Sequence, residues 1–179
     1  MTKAFLLAVT LAVLTTEVPS QLLPGFRPSG LNDEQQIVIE NPVAGTSVLI
    51  NAPMTGFGLN DRVLLVLYAL PNGNTIEQTF GKKLKVGDDW HYDIQHIGAQ
   101  TRFLRRVMTG RTVVVAYLEN DRRSWPAWSA NTPGHAEIVK KLVDEITSLF
   151  APWNPELVLN GHSGGGRFIF NYIDAHEQI

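Results

Sequence analysis

The sequence predicts an α/β fold, with a mostly parallel sheet and helices flanking it. Continuous apolar runs over residues 62–70, 112–118 and 157–159 are typical of strands that are buried on both faces. Apolar residues recur at helical spacing between these runs, over residues 94–108 and 138–149. Because strands that alternate with helices pair in parallel, the three apolar runs are expected to be parallel strands of one sheet, with the strand of residues 157–159 near an open edge.

The first twenty residues have the pattern of a signal peptide. Lys3 precedes an apolar run, residues 4–14, which is too short to span a bilayer but suits the core of a signal peptide. Val18 and Ser20 are small residues placed for cleavage after Ser20. We therefore expect residues 1–20 to be removed and the protein to be secreted or periplasmic, without stable membrane insertion. The alternative is a buried N-terminal helix.

The segment after the cleavage site divides into a lead-in and a domain. Residues 21–35 contain two prolines and two glycines, which predicts irregular structure. Short β-rich runs follow at residues 37–39 and 47–50, separated by a proline and a glycine, and they predict an antiparallel pair. The main domain is therefore expected to occupy residues 36–179.

The ends of the predicted elements also have sequence signals. Asp93 is a possible N-cap for the first long helix, and Gly110 marks its end. Thr132 is placed to cap the second helix, with Pro133 at its first position. The first buried strand runs into a turn-forming loop, residues 71–74.

The third buried strand leads directly into a short glycine-rich motif. Gly161, Ser163 and Gly165 form the pattern G-x-S-x-G, and a helical segment, residues 168–173, follows it. This is the pattern of a nucleophile elbow, a strained turn that holds a serine hydroxyl out of the backbone. A glycine-rich turn without a catalytic role is the alternative.

On these residues the chain resembles the α/β-hydrolases over about residues 36–179. The resemblance implies an incomplete α/β-hydrolase fold with an antiparallel hairpin at its N-terminal side. It also implies that Ser163 is a nucleophile that attacks an ester or, less often, an amide. The implied oxyanion hole consists of the Gly164 N–H and one N–H of the loop after the third strand, where Asn74 is the first choice and Gly73 the second.

The resemblance also implies that an acid and a histidine follow the serine. Asp174 and His176 come after Ser163, but His176 lies on the same outgoing helix, roughly 15–20 Å from the hydroxyl. His162 and His135 have the wrong direction or the wrong order. We therefore expect the catalytic acid and histidine to lie beyond this sequence, and the chain to be a weakly active fragment or to share its site with another chain.

Two further groups of residues are candidates for a binding site. His91, Asp93 and His96 match no strong zinc signature, so an ordinary helix entry is expected rather than a metal site. Trp125 and Trp128 follow the fourth strand and are candidates to line a substrate pocket. The alternative is a hydrophobic clasp that holds the loop to the domain.

Composition limits the classes of function. The chain has 179 residues, no cysteine and a formal charge of -2, which gives no electrostatic basis for binding nucleic acid and excludes a thiol nucleophile. The expected partner is a small-molecule or acylated substrate, and no cofactor is expected. An acyltransferase, a catalytically silent binding protein of the same fold and a metal-dependent protein are the alternatives. Neither the substrate nor the oligomeric state has a sequence signal.

Overall fold

The computed structural model describes residues 21–30, 32–88 and 95–176. The predicted signal peptide, as well as His91 and Asp93, lies outside these ranges. The described residues form a mixed sheet of six strands in the order β1-β2-β3-β5-β4-β6. The strands are β1 (Arg27–Pro28), β2 (Glu34–Glu40), β3 (Thr46–Pro53), β4 (Val63–Ala69), β5 (Thr112–Asn120) and β6 (Glu156–Gly161).

The strand directions confirm the α/β class but change the description of the sheet. β2 and β3 form the predicted antiparallel hairpin, and β4 pairs in parallel with both β5 and β6. β3 also pairs antiparallel with β5, and β1 pairs antiparallel with β2. The prediction of a mostly parallel sheet was therefore wrong, because the hairpin joins the parallel strands through an antiparallel pairing.

In residues 21–30, 32–88 and 95–176, five α-helices cover the two faces of this sheet. They are α1 (Ile76–Phe80), α2 (Ile97–Val107), α3 (Trp125–Ala130), α4 (His135–Ser148) and α5 (Gly166–Asp174). The short helices α1 and α3 were not predicted, although Thr75 and Ser124 cap them in the usual way. Within the described part of the chain, no helix is long and apolar enough to cross a membrane.

The predicted start of α4 was wrong. The helix begins at His135, after Gly134 in the left-handed conformation with φ 70°. The Thr132 N–H donates to the Ser129 carbonyl, and the His135 N–H donates to the Thr132 carbonyl. Thr132 therefore belongs to a turn that closes α3, and only a glycine adopts the conformation of residue 134 without strain.

Alternating residues of the central strands divide the core into two clusters. On one face, Leu65 and Leu67 of β4 pack with α3, α4 and α5. On the other face, Leu64 and Val66 pack with residues of α1 and α2. The helices after β4 and the helices after β5 therefore lie on opposite faces of the sheet.

A buried carboxylate attaches α2 to the sheet. Glu34 of β2 accepts hydrogen bonds from Arg102 Nε at 2.8 Å and from Arg105 Nη1 at 2.9 Å. Arg105 also donates to the Val113 and Asn51 carbonyls, which joins β5 and β3 to the same cluster. Burial lowers the pKa of Arg105, whereas the hydrogen bond to Glu34 raises the pKa of Arg102.

Replacing the Glu34 carboxylate is expected to lower the free energy of unfolding. Glu34→Gln keeps the side-chain shape but leaves the largely buried Arg105 without a compensating charge, so the free energy of unfolding should fall by ~3–5 kcal/mol. Urea denaturation measures this change. The matched control is Asp144→Asn, which breaks the exposed pair between Lys140 and Asp144 and should leave the midpoint nearly unchanged. Equal effects of the two changes would contradict the assignment of Glu34 as the anchor of α2.

Candidate active site

Ser163 lies at a sharp turn between β6 and α5. β6 ends at Gly161, and His162 is still extended, with φ -109° and ψ 140°. A 3₁₀ turn (Ser163–Gly165) follows and continues directly into α5. The predicted order of strand, serine turn and helix is therefore present, but β6 is the last strand of the sheet and is partly exposed, so the prediction that it is buried on both faces was wrong.

The backbone of Ser163 has an unusual conformation. Its φ is 52°, in the left-handed region that side chains other than glycine and asparagine seldom adopt. Such a residue is destabilised by roughly 1–2 kcal/mol, and residues of this kind concentrate at active sites. Ser163 is also exposed, so its hydroxyl is accessible to a substrate. Strain and exposure together are what a nucleophile elbow requires.

Two glycines that flank Ser163 allow the backbone of the turn to pack closely against the end of β4 and against itself. A Cβ added at Gly165 would lie 2.2 Å from the carbonyl oxygen of Ala69, at the end of β4. A Cβ added at Gly161 would lie 2.8 Å from the backbone of Gly165. Since backbone atoms cannot move away as a flexible side chain can, the turn is sterically possible only with glycine at both positions.

The loop after β4 meets the elbow at Asn72. A Cβ added at Gly164 would lie 1.9 Å from Asn72 Oδ1 and 2.9 Å from Asn72 Nδ2, so the side-chain amide of Asn72 rests against Gly164. Sequence reasoning included Asn72 in the loop but did not select it. Its selection requires the tertiary contact, for which the sequence has no local signal.

The two predicted loop donors are engaged within the loop region. The Gly73 N–H donates to the Arg123 carbonyl at 2.8 Å, and the Asn74 N–H donates to the Pro71 carbonyl at 3.3 Å. The Asn74 side chain is buried and accepts a hydrogen bond from Gln95 Nε2 at 2.7 Å. Gly73 and Asn74 therefore hold the loop in place in this structure.

The Gly164 N–H is available beside the serine. The N–H of Gly165 donates to the His162 carbonyl at 2.9 Å. Gly164 has no such acceptor among the described residues, although the residue itself is buried. An N–H group without a protein acceptor can donate to a ligand or to water, and the role of this one in an oxyanion hole stays a prediction.

Within the described ranges, no histidine or carboxylate is hydrogen-bonded to the Ser163 hydroxyl. His176 lies beyond the last residue of α5, and its Nδ1 donates to the Tyr172 carbonyl at 2.7 Å. His135 Nε2 lies 3.4 Å from Arg167 Nη2. Both histidines thus have other partners, and the expectation that neither is the base stays a prediction.

The two tryptophans lie in the core. Trp125 and Trp128 are 1% and 2% exposed and pack edge to face, with ring centroids 5.5 Å apart. Trp125 also packs edge to face on Phe168 of α5, at 4.8 Å. Their burial favours the hydrophobic clasp, because it leaves almost no indole surface for a substrate. They pack against α5, the helix that follows Ser163.

The proposed metal alternative gains no support from the described residues. Those residues contain no group of three His, Cys, Asp or Glu side chains that could hold a metal ion. His96 has φ 62° and directly precedes α2, close to Gly81. His96 therefore lies at the entry of α2, whereas His91 and Asp93 lie outside the described residues, so the expectation for the three residues together stays a prediction.

Comparisons with known proteins assign no family to the chain. No protein-family model matches it, and no curated protein or solved structure is significantly similar to it. Function is therefore inferred from the geometry of the elbow and its neighbours.

Adjacent glycines at the start of α5 provide a test of the close packing. Gly165→Ala forces a Cβ against the Ala69 carbonyl and should lower the free energy of unfolding by ~1–3 kcal/mol. Gly166→Ala is the control, since its Cβ meets nothing within 4 Å and its φ of -59° is helical. It should leave stability unchanged or raise it by up to ~1 kcal/mol. Urea denaturation of both variants measures the difference, and equal stabilities would refute the packing described here.

Proposed function

We propose that the chain is a serine hydrolase of the α/β-hydrolase type, acting on an ester bond through an acyl-serine intermediate. The observation that carries the proposal is Ser163 itself, which is exposed and has a φ of 52° at the end of a parallel strand. The glycines that permit this turn support the same conclusion, because they occupy the positions where a Cβ is sterically excluded.

The position of the serine in the sheet also supports the proposal. β4 and β6 are parallel neighbours, and the chain leaves β4 towards α1 on one face and β6 towards α5 on the other. In open α/β sheets, ligands bind outside the carboxyl ends of strands at such a switch point. Ser163 and Asn72 follow these two carboxyl ends.

The proposed reaction begins with attack of Ser163 Oγ on the ester carbonyl carbon. The bond from this carbon to the alcohol oxygen then breaks, and the alcohol leaves with a proton. Water attacks the acyl-serine, which releases the acid and restores the hydroxyl. The oxyanion of each tetrahedral intermediate is stabilised by the Gly164 N–H, with the amide of Asn72 as the second donor in place of Gly73 or Asn74. One such donor contributes ~3–4 kcal/mol.

Turnover is expected to be slow. The proposed oxyanion donor, Gly164, directly follows Ser163, but among the described residues no base is hydrogen-bonded to the serine hydroxyl. Binding and the oxyanion hole alone accelerate such reactions ~10³–10⁴-fold over water. The same observation favours the second candidate, a catalytically silent binding protein of this fold. Acylation of Ser163 distinguishes the two.

Substitution of Ser163 distinguishes the backbone strain at this residue from the chemistry of its hydroxyl. Ser163→Gly removes the hydroxyl and relieves the positive φ, so it should abolish ester hydrolysis and raise the free energy of unfolding by about 1 kcal/mol. Ser163→Ala is the matched control, because it removes the hydroxyl but keeps the Cβ, and should give no such gain. Hydrolysis of p-nitrophenyl acetate and urea denaturation measure the two effects. A glycine variant that hydrolyses the ester as fast as the unsubstituted chain would refute the proposal.

A further inference from the structure

A second surface feature lies apart from the elbow, between α1 and the antiparallel part of the sheet. It is a groove of about 480 Å³, which we call the acidic groove. Its apolar lining consists of Val38, Leu49, Ile76 and Phe80. Its remaining lining residues are Glu40, Glu77, Glu119, Ser47 and Gly81. The groove thus combines an apolar floor with three carboxylates.

The strand register explains how the groove is built. Glu40 pairs with Ser47, and Ser47 pairs with Glu119, so these three residues form one row across β2, β3 and β5. Val38 and Leu49 form the neighbouring row on the same face, since side chains two residues apart share a face. The sheet therefore fixes Val38 and Leu49 of the apolar floor and two of the three carboxylates, and α1 contributes the rest of the floor and the third carboxylate.

Among the described residues, the groove borders an edge of β2 that no strand covers beyond Gln36. β1 pairs only with Gln35 and Gln36 of β2, so Val38 and Glu40 lie beyond it. The Asn41 N–H donates to the Thr46 carbonyl of the adjoining strand. Because pairing alternates along an antiparallel strand, Val38 and Glu40 direct their own N–H and C=O groups away from β3, towards this edge. The Val38 side chain is 58% exposed.

The negative charge of the three carboxylates at the rim of the groove is only partly compensated by hydrogen bonds. One carboxylate oxygen of Glu119 accepts the Ile76 N–H at 2.8 Å, and one of Glu40 accepts the Ser47 hydroxyl at 2.7 Å. Glu77 lies exposed in the first turn of α1. No lysine or arginine is among the described residues that line the groove. The complementary ligand is a cation on an apolar stem.

We propose that this edge binds an extended basic segment of a partner polypeptide by strand addition. The backbone of the segment pairs with the outward groups of Val38 and Glu40. A lysine or arginine side chain on the same face lays its methylenes on the apolar floor and places its charge among the three carboxylates. Main-chain pairing provides affinity, and the acidic groove selects basic sequences. This binding surface does not depend on the chemistry of Ser163.

The test is peptide binding to the whole chain, measured by fluorescence anisotropy. The probe is a short labelled peptide of alternating lysine and valine, and its matched counterpart has glutamate in place of lysine. The lysine peptide should bind, with an affinity that falls as salt rises, and the glutamate peptide should not. Equal binding of the two peptides, or binding of neither, would overturn the proposal.

Variants at the edge separate strand addition from simple charge attraction. Val38→Pro removes an N–H that faces outward, so the pairing of β2 with β3 is kept while the added strand loses a donor. Val38→Thr is the control that keeps this N–H. We expect the proline variant to bind the lysine peptide about tenfold more weakly, and the same loss for the double variant Glu40→Gln/Glu77→Gln. The threonine variant should bind the peptide with unchanged affinity. Thermal unfolding of each variant verifies folding.

Two results would contradict the binding of a basic peptide by strand addition at this edge. One is a folded proline variant that binds the lysine peptide as tightly as the unsubstituted chain. The other is self-association of the chain that Val38→Pro abolishes, which sedimentation velocity would detect. That result would assign the edge to a second copy of the chain rather than to a basic peptide.

Discussion

The close approach of Gly165 to the carbonyl oxygen of Ala69 is the contact on which the candidate site depends. It brings the turn after β6 against the end of β4, where a single added carbon would meet backbone at 2.2 Å. The same approach leaves Gly164 against Asn72 and turns Ser163 to a positive φ. Ser163, the Gly164 N–H and the loop after β4 are thus positioned by one backbone contact.

The rest of the fold keeps this strained turn in place. Phe168 is fully buried on Trp125, so the first turns of α5 cannot rotate away from α3. Asn171 adds a buried hydrogen bond to Ser129 at 2.7 Å. The strain at Ser163, roughly 1–2 kcal/mol, is comparable to the stabilisation from burying one large apolar side chain. The core beneath α5 can therefore hold the serine in a conformation that it would not adopt alone.

The sequence predicted those parts of the structure that local pattern determines. The buried strands were found because β4 and β5 are continuously apolar, and the elbow because its glycines have a fixed spacing. The antiparallel pairing of β3 with β5 was not found, since strand partners are chosen by tertiary packing. The same reason explains why Asn72 was not selected as a hydrogen-bond donor. It also explains why Trp125 could not be assigned to a substrate pocket or to the core. Helix α1, with five residues, is too short to show helical periodicity.

The central claim is that folding, rather than the presence of a serine, makes Ser163 reactive. The most direct measurement is labelling of the chain with a fluorophosphonate probe, in buffer and in denaturing urea, followed by mass-spectrometric location of the adduct. We expect a single adduct on Ser163 in buffer and none after unfolding, because the strained turn and the position of the Gly164 N–H exist only in the folded chain. Absence of labelling in a folded sample, or equal labelling of several serines in both conditions, would contradict it.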